Sequence, residues 1–118
     1  MSRTALILAA IVLAAPLAAD PSVIEGVAVS RSGMGWRFDV TVRHGDTGWD
    51  HYADAWQVLA PDGTVLATRE LLHPHEDEQP FTRSLTDVAV PDGLRSVIVQ
   101  AKCSNGDVSA PFTVKLSR

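Results

Sequence analysis

The sequence predicts an all-β protein: an antiparallel β-sandwich of seven short strands. Apolar and polar residues alternate with a period of two in several short runs, which is typical of strands with one buried face. Turn signals such as Pro-Asp-Gly separate these runs at regular spacing. Helical periodicity is nearly absent after residue 19. Together these patterns favour two packed sheets.

The first strands follow the leader directly. Residues 23–30 alternate weakly and contain Gly26, which predicts an edge strand, and a turn follows at residues 32–35. The strongest strand signal comes next, where apolar side chains alternate strictly with polar ones; the apolar set is Trp36, Phe38, Val40 and Val42. Residues 44–48 form a flexible loop before a third strand at residues 52–59.

Two Pro-Asp-Gly turns organise the remaining chain. The first, at residues 61–63, predicts a hairpin whose second strand covers residues 64–72, and Gly63 can take the positive φ of such a turn. A fifth strand starts at Phe81 and extends to residue 85 or as far as residue 90. The second turn, at residues 91–93, precedes a sixth strand at residues 97–103, and a last strand carries Phe112, Val114 and Leu116.

The last third of the chain resembles the closing strands of fibronectin type III domains. The likeness lies in Val-Ala-Val-Pro-Asp-Gly at 88–93, Val-Ile-Val-Gln-Ala at 97–101, Asn-Gly at 105–106 and Ser-Ala-Pro at 109–111. It covers about a quarter of the chain, and the tyrosine of the usual corner is missing. The resemblance therefore implies a sandwich of the immunoglobulin or fibronectin type III kind and nothing finer.

Residues 1–19 have the pattern of a secretory signal peptide. Arg3 is followed by an apolar stretch, Pro16 ends it, and small residues precede Asp20. The stretch is shorter than the roughly 20 residues of a bilayer span, so an uncleaved anchor is the weaker alternative. We therefore expect a periplasmic or secreted domain at residues 20–118, with no stable membrane anchor after cleavage.

The charge of the predicted mature domain excludes several partners. Loss of the leader removes Arg3 from 10 basic residues, and the remaining 9 face 14 acidic residues, a formal charge of −5. A chain of this sign with scattered Lys and Arg has no footprint for nucleic acid or anionic lipid. The single cysteine, Cys103, cannot form an internal disulfide, so the apolar core must hold the domain together.

A second resemblance covers roughly the middle half of the mature chain. Its motifs are Gly-Trp-Asp-His-Tyr-Ala-Asp-Ala-Trp at 48–56 and Leu-Leu-His-Pro-His-Glu-Asp-Glu-Gln-Pro-Phe-Thr-Arg-Ser-Leu at 71–85. In these motifs the chain resembles an uncharacterised family of small exported bacterial proteins. The resemblance implies an exported single domain and brings no activity or residue role.

His73 and His75 are the first candidate metal ligands. Pro74 holds the spacer between them extended, so both imidazoles lie on one side of the chain. With the carboxylates at 76–78, and with His51 and His44 from the preceding loop, they could ligate Zn²⁺ or Cu²⁺. The simpler interpretation is an exposed loop whose histidines and acids are solvated, or whose acids pair with Arg83 and Arg69.

A recognition surface is the main functional hypothesis. Trp49 lies in a Gly-rich loop and is the aromatic residue expected to be exposed, beside Asp50 and His51. With Glu76 from the second loop and Arg83 from the strand that follows it, these residues would form a binding rim for an exported protein or a small ligand of unknown identity. Trp36, Trp56 and Cys103 lie on the same strand faces as apolar residues and are expected in the core.

An enzymatic function has no supporting pattern. The sequence contains no Gly-x-Ser-x-Gly elbow and no phosphate-binding glycine motif. Cys103 has no adjacent base that would activate it as a nucleophile. The sequence therefore favours a non-enzymatic exported module, with a Cu- or Zn-binding protein as the alternative.

Overall fold

The computed structural model describes residues 21–117, and the predicted leader at residues 1–19 lies outside them. All seven predicted strands are present. They are β1 (Val23–Ser32), β2 (Gly35–Arg43), β3 (Ala53–Leu59), β4 (Val65–Glu70), β5 (Phe81–Val88), β6 (Ser96–Cys103) and β7 (Phe112–Lys115).

The strands form two antiparallel sheets, which confirms the predicted β-sandwich. One sheet has the order β1-β2-β5 and the other has the order β4-β3-β6-β7. In constant-type immunoglobulin domains the fourth strand belongs to the first sheet. Here β4 pairs with β3 in the second sheet, which gives the three-plus-four arrangement of fibronectin type III domains.

The core lies between the two sheets and is built from the alternating residues that the sequence singles out. Fully buried side chains come from β2, β3, β5 and β6, and the largest are Trp56, Phe38, Phe81, Val40, Val42, Val58, Val97 and Val99. Burial of each such side chain contributes about 1.5–3 kcal/mol. Because the single cysteine cannot form an internal disulfide, this apolar core has to stabilise the domain.

Strand boundaries differ from the predicted ones at two places. β1 continues to Ser32, because Ser32 pairs with Gly35 across a tight turn in which Gly33 has a φ of 58°. β4 ends at Glu70 instead of residue 72. The Leu71 side chain is buried in the core, and its N–H donates to the backbone carbonyl of Asp54. The next side chain, Leu72, points out of the protein and is 71% exposed.

Three connections meet at one end of the sandwich, because β2, β4 and β6 all end there. They are residues 44–52, residues 71–80 and residues 104–111, and we call this end the rim. The β1–β2 turn and the β3–β4 turn lie at the opposite end. Within residues 21–117 there is no helix long and apolar enough to cross a membrane.

Candidate functional site

The two connections that carry the predicted site residues are packed against each other at the rim. The His75 N–H donates to the Asp46 carboxylate over 2.7 Å, and the His44 N–H donates to Gln79 Oε1 over 2.9 Å. A side chain built at Gly48 would lie 3.7 Å from the Glu76 carboxylate. The 44–52 and 71–80 connections therefore form one structural unit.

Asp46 is the centre of this unit and its side chain is fully buried. One carboxylate oxygen accepts hydrogen bonds from His44 Nδ1 over 2.6 Å and from the Ala53 N–H over 3.1 Å. The other accepts from the His75 N–H and lies 4.0 Å from His75 Nδ1. A buried carboxylate is costly unless several donors compensate it, and these donors come from both sides of the rim.

His75 is buried beneath the rim, so the interpretation as a fully solvated loop is wrong for this residue and for His44. Its ring stacks on Phe81 with the centroids 3.9 Å apart and the planes 9° apart. Arg83 donates to His75 Nε2 over 3.0 Å, which places the ring proton on Nδ1 and makes the ring neutral. Burial first, and then the Arg83 charge, lower the pKa of His75.

Arg83 links the buried ring to the acidic run. Its guanidinium also donates to Glu78 over 3.1 Å, and this hydrogen bond lowers the pKa of Glu78. The predicted pairing of the acidic run with Arg83 is confirmed. Arg69 behaves differently, since it donates to the backbone carbonyls of Ser84 and Glu70.

The remaining predicted site residues lie at the surface of the rim. Trp49 is 67% exposed and packs edge-to-face on Tyr52, with ring centroids 5.4 Å apart. Asp50 and Glu76 are exposed. His73 is also exposed, and its ring centroid lies 4.6 Å from that of His75. The Nδ1 atom of His73 donates a hydrogen bond to the Pro74 carbonyl.

His44 and His51 converge beneath the surface with Cys103, a residue that the sequence assigned to the core alone. One ligand atom from each of the three lies within 4.8 Å of the others, and they form the sole such group of metal-binding side chains in residues 21–117. The two imidazole rings meet edge-to-face at 4.7 Å. His73 and His75 lie outside this group, and metal binding through them stays a prediction.

The fold explains why these three side chains meet. His44 follows the last residue of β2, and His51 lies two residues before Ala53, where β3 begins. Cys103 ends β6 and pairs with Ala53, the first residue of β3. Two backbone hydrogen bonds, Thr47 N–H to His51 O and His51 N–H to Gly48 O, close the loop that holds His51.

Cys103 is buried, as predicted, but its surroundings are polar. Its sulfur lies 3.6 Å from the Ser22 hydroxyl. Burial raises the pKa of the Cys103 thiol, and the Ser22 hydroxyl only partly offsets this effect. The thiol is therefore protonated at neutral pH in the absence of a cation.

A cleft of about 390 Å³ opens beside Tyr52, the ring on which Trp49 packs. Its lining combines apolar and charged side chains and consists of Tyr52, Asp54, Ala55, Thr68, Glu70, Leu71, Leu72 and Lys102. Asp54, Glu70 and Lys102 form no ion pair within the described part of the chain. A smaller cleft of about 100 Å³ shares Leu71 and Leu72 and reaches His73, His75 and Arg83.

Sequence reasoning missed Asp46 and the role of Cys103 beside the histidines. Asp46 lies in a Gly-rich stretch that predicts a flexible loop, and the one available signal was a carboxylate two residues after a histidine. The contact between Cys103 and the 44–52 connection depends on the β3–β6 register. A single sequence does not specify that register.

Comparison with known proteins finds one similar curated protein, named "Putative lipoprotein", from Halomicrobium mukohataei. It is 43% identical over 81 residues, which is 69% of this chain and 39% of that protein. The chain thus spans about two fifths of the length of its relative. No family model matches the sequence.

Proposed function

We propose that this chain is an exported, non-enzymatic recognition module that binds a partner through its rim. The observation that carries the proposal is the exposure of two large apolar side chains: Leu72 lines the cleft, and Trp49 packs on Tyr52, another lining residue. Trp49 is 67% exposed and Leu72 is 71% exposed, and Tyr52 connects them because it packs on Trp49 and lines the cleft with Leu72.

Exposed apolar side chains around a concave surface are typical of binding sites. The location supports the same function. The 44–52 connection joins the second and third strands, and the 104–111 connection joins the last two. In immunoglobulin variable domains the equivalent connections form the antigen-binding surface. A rigid two-sheet scaffold beneath them would present the rim with little loss of entropy on binding.

The lining of the cleft suggests the chemistry of the partner. Asp54 and Glu70 supply two carboxylates against one ammonium group from Lys102. Asp50, Glu76 and Asp77 add further exposed acids to the same end. We infer that the partner is an exported protein segment that presents a large apolar side chain next to a basic one.

Export rests on the leader pattern of residues 1–19 and on the name of the relative. A lipoprotein is a protein of the cell envelope, so a related domain in an exported chain is consistent with that name. Periplasmic and extracellular locations both fit this proposal.

The experiment is affinity selection of a random peptide library on the immobilised chain. We expect peptides that pair an apolar residue with Lys or Arg, and we expect Trp49→Ala or Leu72→Ala to weaken their binding at least about tenfold, as truncation of a central apolar anchor does. Met34→Ala is the matched control, since Met34 is 99% exposed but lies in the turn at the opposite end. Enriched peptides that bind the Trp49 and Leu72 variants as tightly as the unchanged chain would refute the proposed surface.

A further inference from the structure

The group formed by His44, His51 and Cys103 lies below the exposed surface of the rim, with His44 and Cys103 buried and His51 half-buried. We propose that these three side chains bind one Cu or Zn ion. The proposed function uses exposed residues and none of these three, so the two proposals stand independently. The site also differs from a His73–His75 site, because it uses neither of these histidines and includes the buried Cys103 thiol instead.

The types of ligand favour a borderline transition metal. Two imidazoles and one thiolate are ligands that both Zn²⁺ and Cu ions accept, whereas Mg²⁺ and Ca²⁺ prefer oxygen ligands. A trigonal set of two histidines and one cysteine is also the basic ligand set of copper sites that transfer electrons. The chemistry of the donors therefore favours copper or zinc over magnesium or calcium.

The separations are close to those of a bound ion. Metal–nitrogen and metal–sulfur bonds of about 2.0–2.3 Å place ligand atoms roughly 3.4–3.6 Å apart around one centre. In the structure the ligand atoms lie within 4.8 Å of one another. Binding would therefore require the widest pair to close by roughly 1 Å.

The polar surroundings support the same assignment. Asp46 holds His44 through Nδ1, so coordination by His44 would use Nε2. A carboxylate that fixes the second nitrogen of a ligating histidine is a common feature of metal sites. The buried Asp46 charge would also compensate the charge of the cation.

His51 gives an independent reason to expect a ligand. Its Nε2 atom is shielded from solvent and has no hydrogen-bond partner in the structure. Buried polar atoms without a partner are rare in folded proteins, and an ion that is not yet bound is one of the recognised explanations. Coordination would satisfy this nitrogen.

The test is titration of the full chain with Zn²⁺, and with Co²⁺ as a spectroscopic probe, after purification in chelator. We expect one ion per chain, a higher melting temperature with Zn²⁺ and a thiolate-to-metal charge-transfer band with Co²⁺. Repeating the titration with Cu²⁺ without oxygen, in competition with Zn²⁺, identifies the preferred ion.

Two ligand variants and two comparison variants, Val97→Ala and His73→Gln, make the outcome decisive. Cys103→Ser should remove the charge-transfer band, and His51→Gln should weaken Zn²⁺ binding at least about tenfold. Val97→Ala, at the other end of β6, should bind the metal normally even though it loses stability. Circular dichroism establishes whether each variant is folded.

Three results would overturn the proposal. One is the absence of metal binding by the folded chain at a large excess of each ion. Another is a band that persists in Cys103→Ser. The third is binding that His73→Gln abolishes and Cys103→Ser leaves intact, which would move the site to the surface loop.

Discussion

Asp46 connects the two halves of the rim through a single side chain. Its carboxylate receives hydrogen bonds from His44, Ala53 and His75, which belong to three different segments of the chain. Each hydrogen bond to a charged acceptor contributes about 1.5–3 kcal/mol. The sequence predicts a flexible loop around Asp46, but these hydrogen bonds hold that loop in place.

His75 should make the stability of the protein depend on pH. Burial, the Arg83 charge and the His73 charge lower its pKa below the ordinary 6.5. The charges of Asp46 and Glu78 raise this pKa, but they only partly offset the decrease. The unfolded chain then binds more protons below about pH 6.5, so the free energy of unfolding falls as the pH decreases through this range.

We expect the free energy of unfolding in urea to be lower at about pH 5.5 than at about pH 7.5, with a contribution from His75 of at most about 1.4 kcal/mol per pH unit. His75→Gln should reduce the difference between the two pH values. His73→Gln is the comparison variant because His73 is exposed and its charge lowers the pKa of His75 less than burial does, so it should reduce the difference less than His75→Gln. A His75→Gln protein with the full pH difference would contradict the role of burial.

At the scale of the elements, the strands were predictable because each has a local signal. The alternation of Trp36, Phe38, Val40 and Val42 specifies both the strand and its buried face, and the structure confirms both. The number of strands followed from turn residues. The burial of His75 was not predictable from the sequence, because it depends on contacts with Phe81 in the next strand and with Asp46 in another connection.

The β1–β2 turn offers a test of packing between elements. A side chain built at Gly35 would lie 2.6 Å from the Val88 carbonyl oxygen, so β2 and β5 approach too closely there for any side chain. We expect Gly35→Ala to lower the free energy of unfolding by about 1–3 kcal/mol, as overpacking does.

Gly26→Ala is the control for that substitution. Nothing lies within 4 Å of a side chain at Gly26, and its φ is not in the left-handed region. We expect an unfolding free energy that is unchanged or higher by about 0.4–1 kcal/mol, since alanine restricts the unfolded chain. Equal destabilisation by the two substitutions, measured by urea unfolding, would show that the close contact with Val88 is not the cause.

In the whole molecule, the apolar core and the polar rim are spatially separate. The two sheets bury the large apolar side chains, while the polar and ionisable groups with unusual surroundings collect at one end. The sequence predicted that the two connections would lie near each other, from the architecture of sandwiches. It did not predict that they would share buried hydrogen bonds or enclose a cysteine, because both depend on contacts between distant residues.

The most direct test of this account is the hydrogen exchange rate of the His75 amide measured by NMR. Because its N–H donates to a buried carboxylate, we expect protection similar to that of strand amides, roughly a hundredfold or more beyond the exposed Asp77 amide, and a loss of that protection in Asp46→Asn. A His75 amide that exchanges as fast as that of Asp77 would show that the two connections are not held together, and would contradict the account.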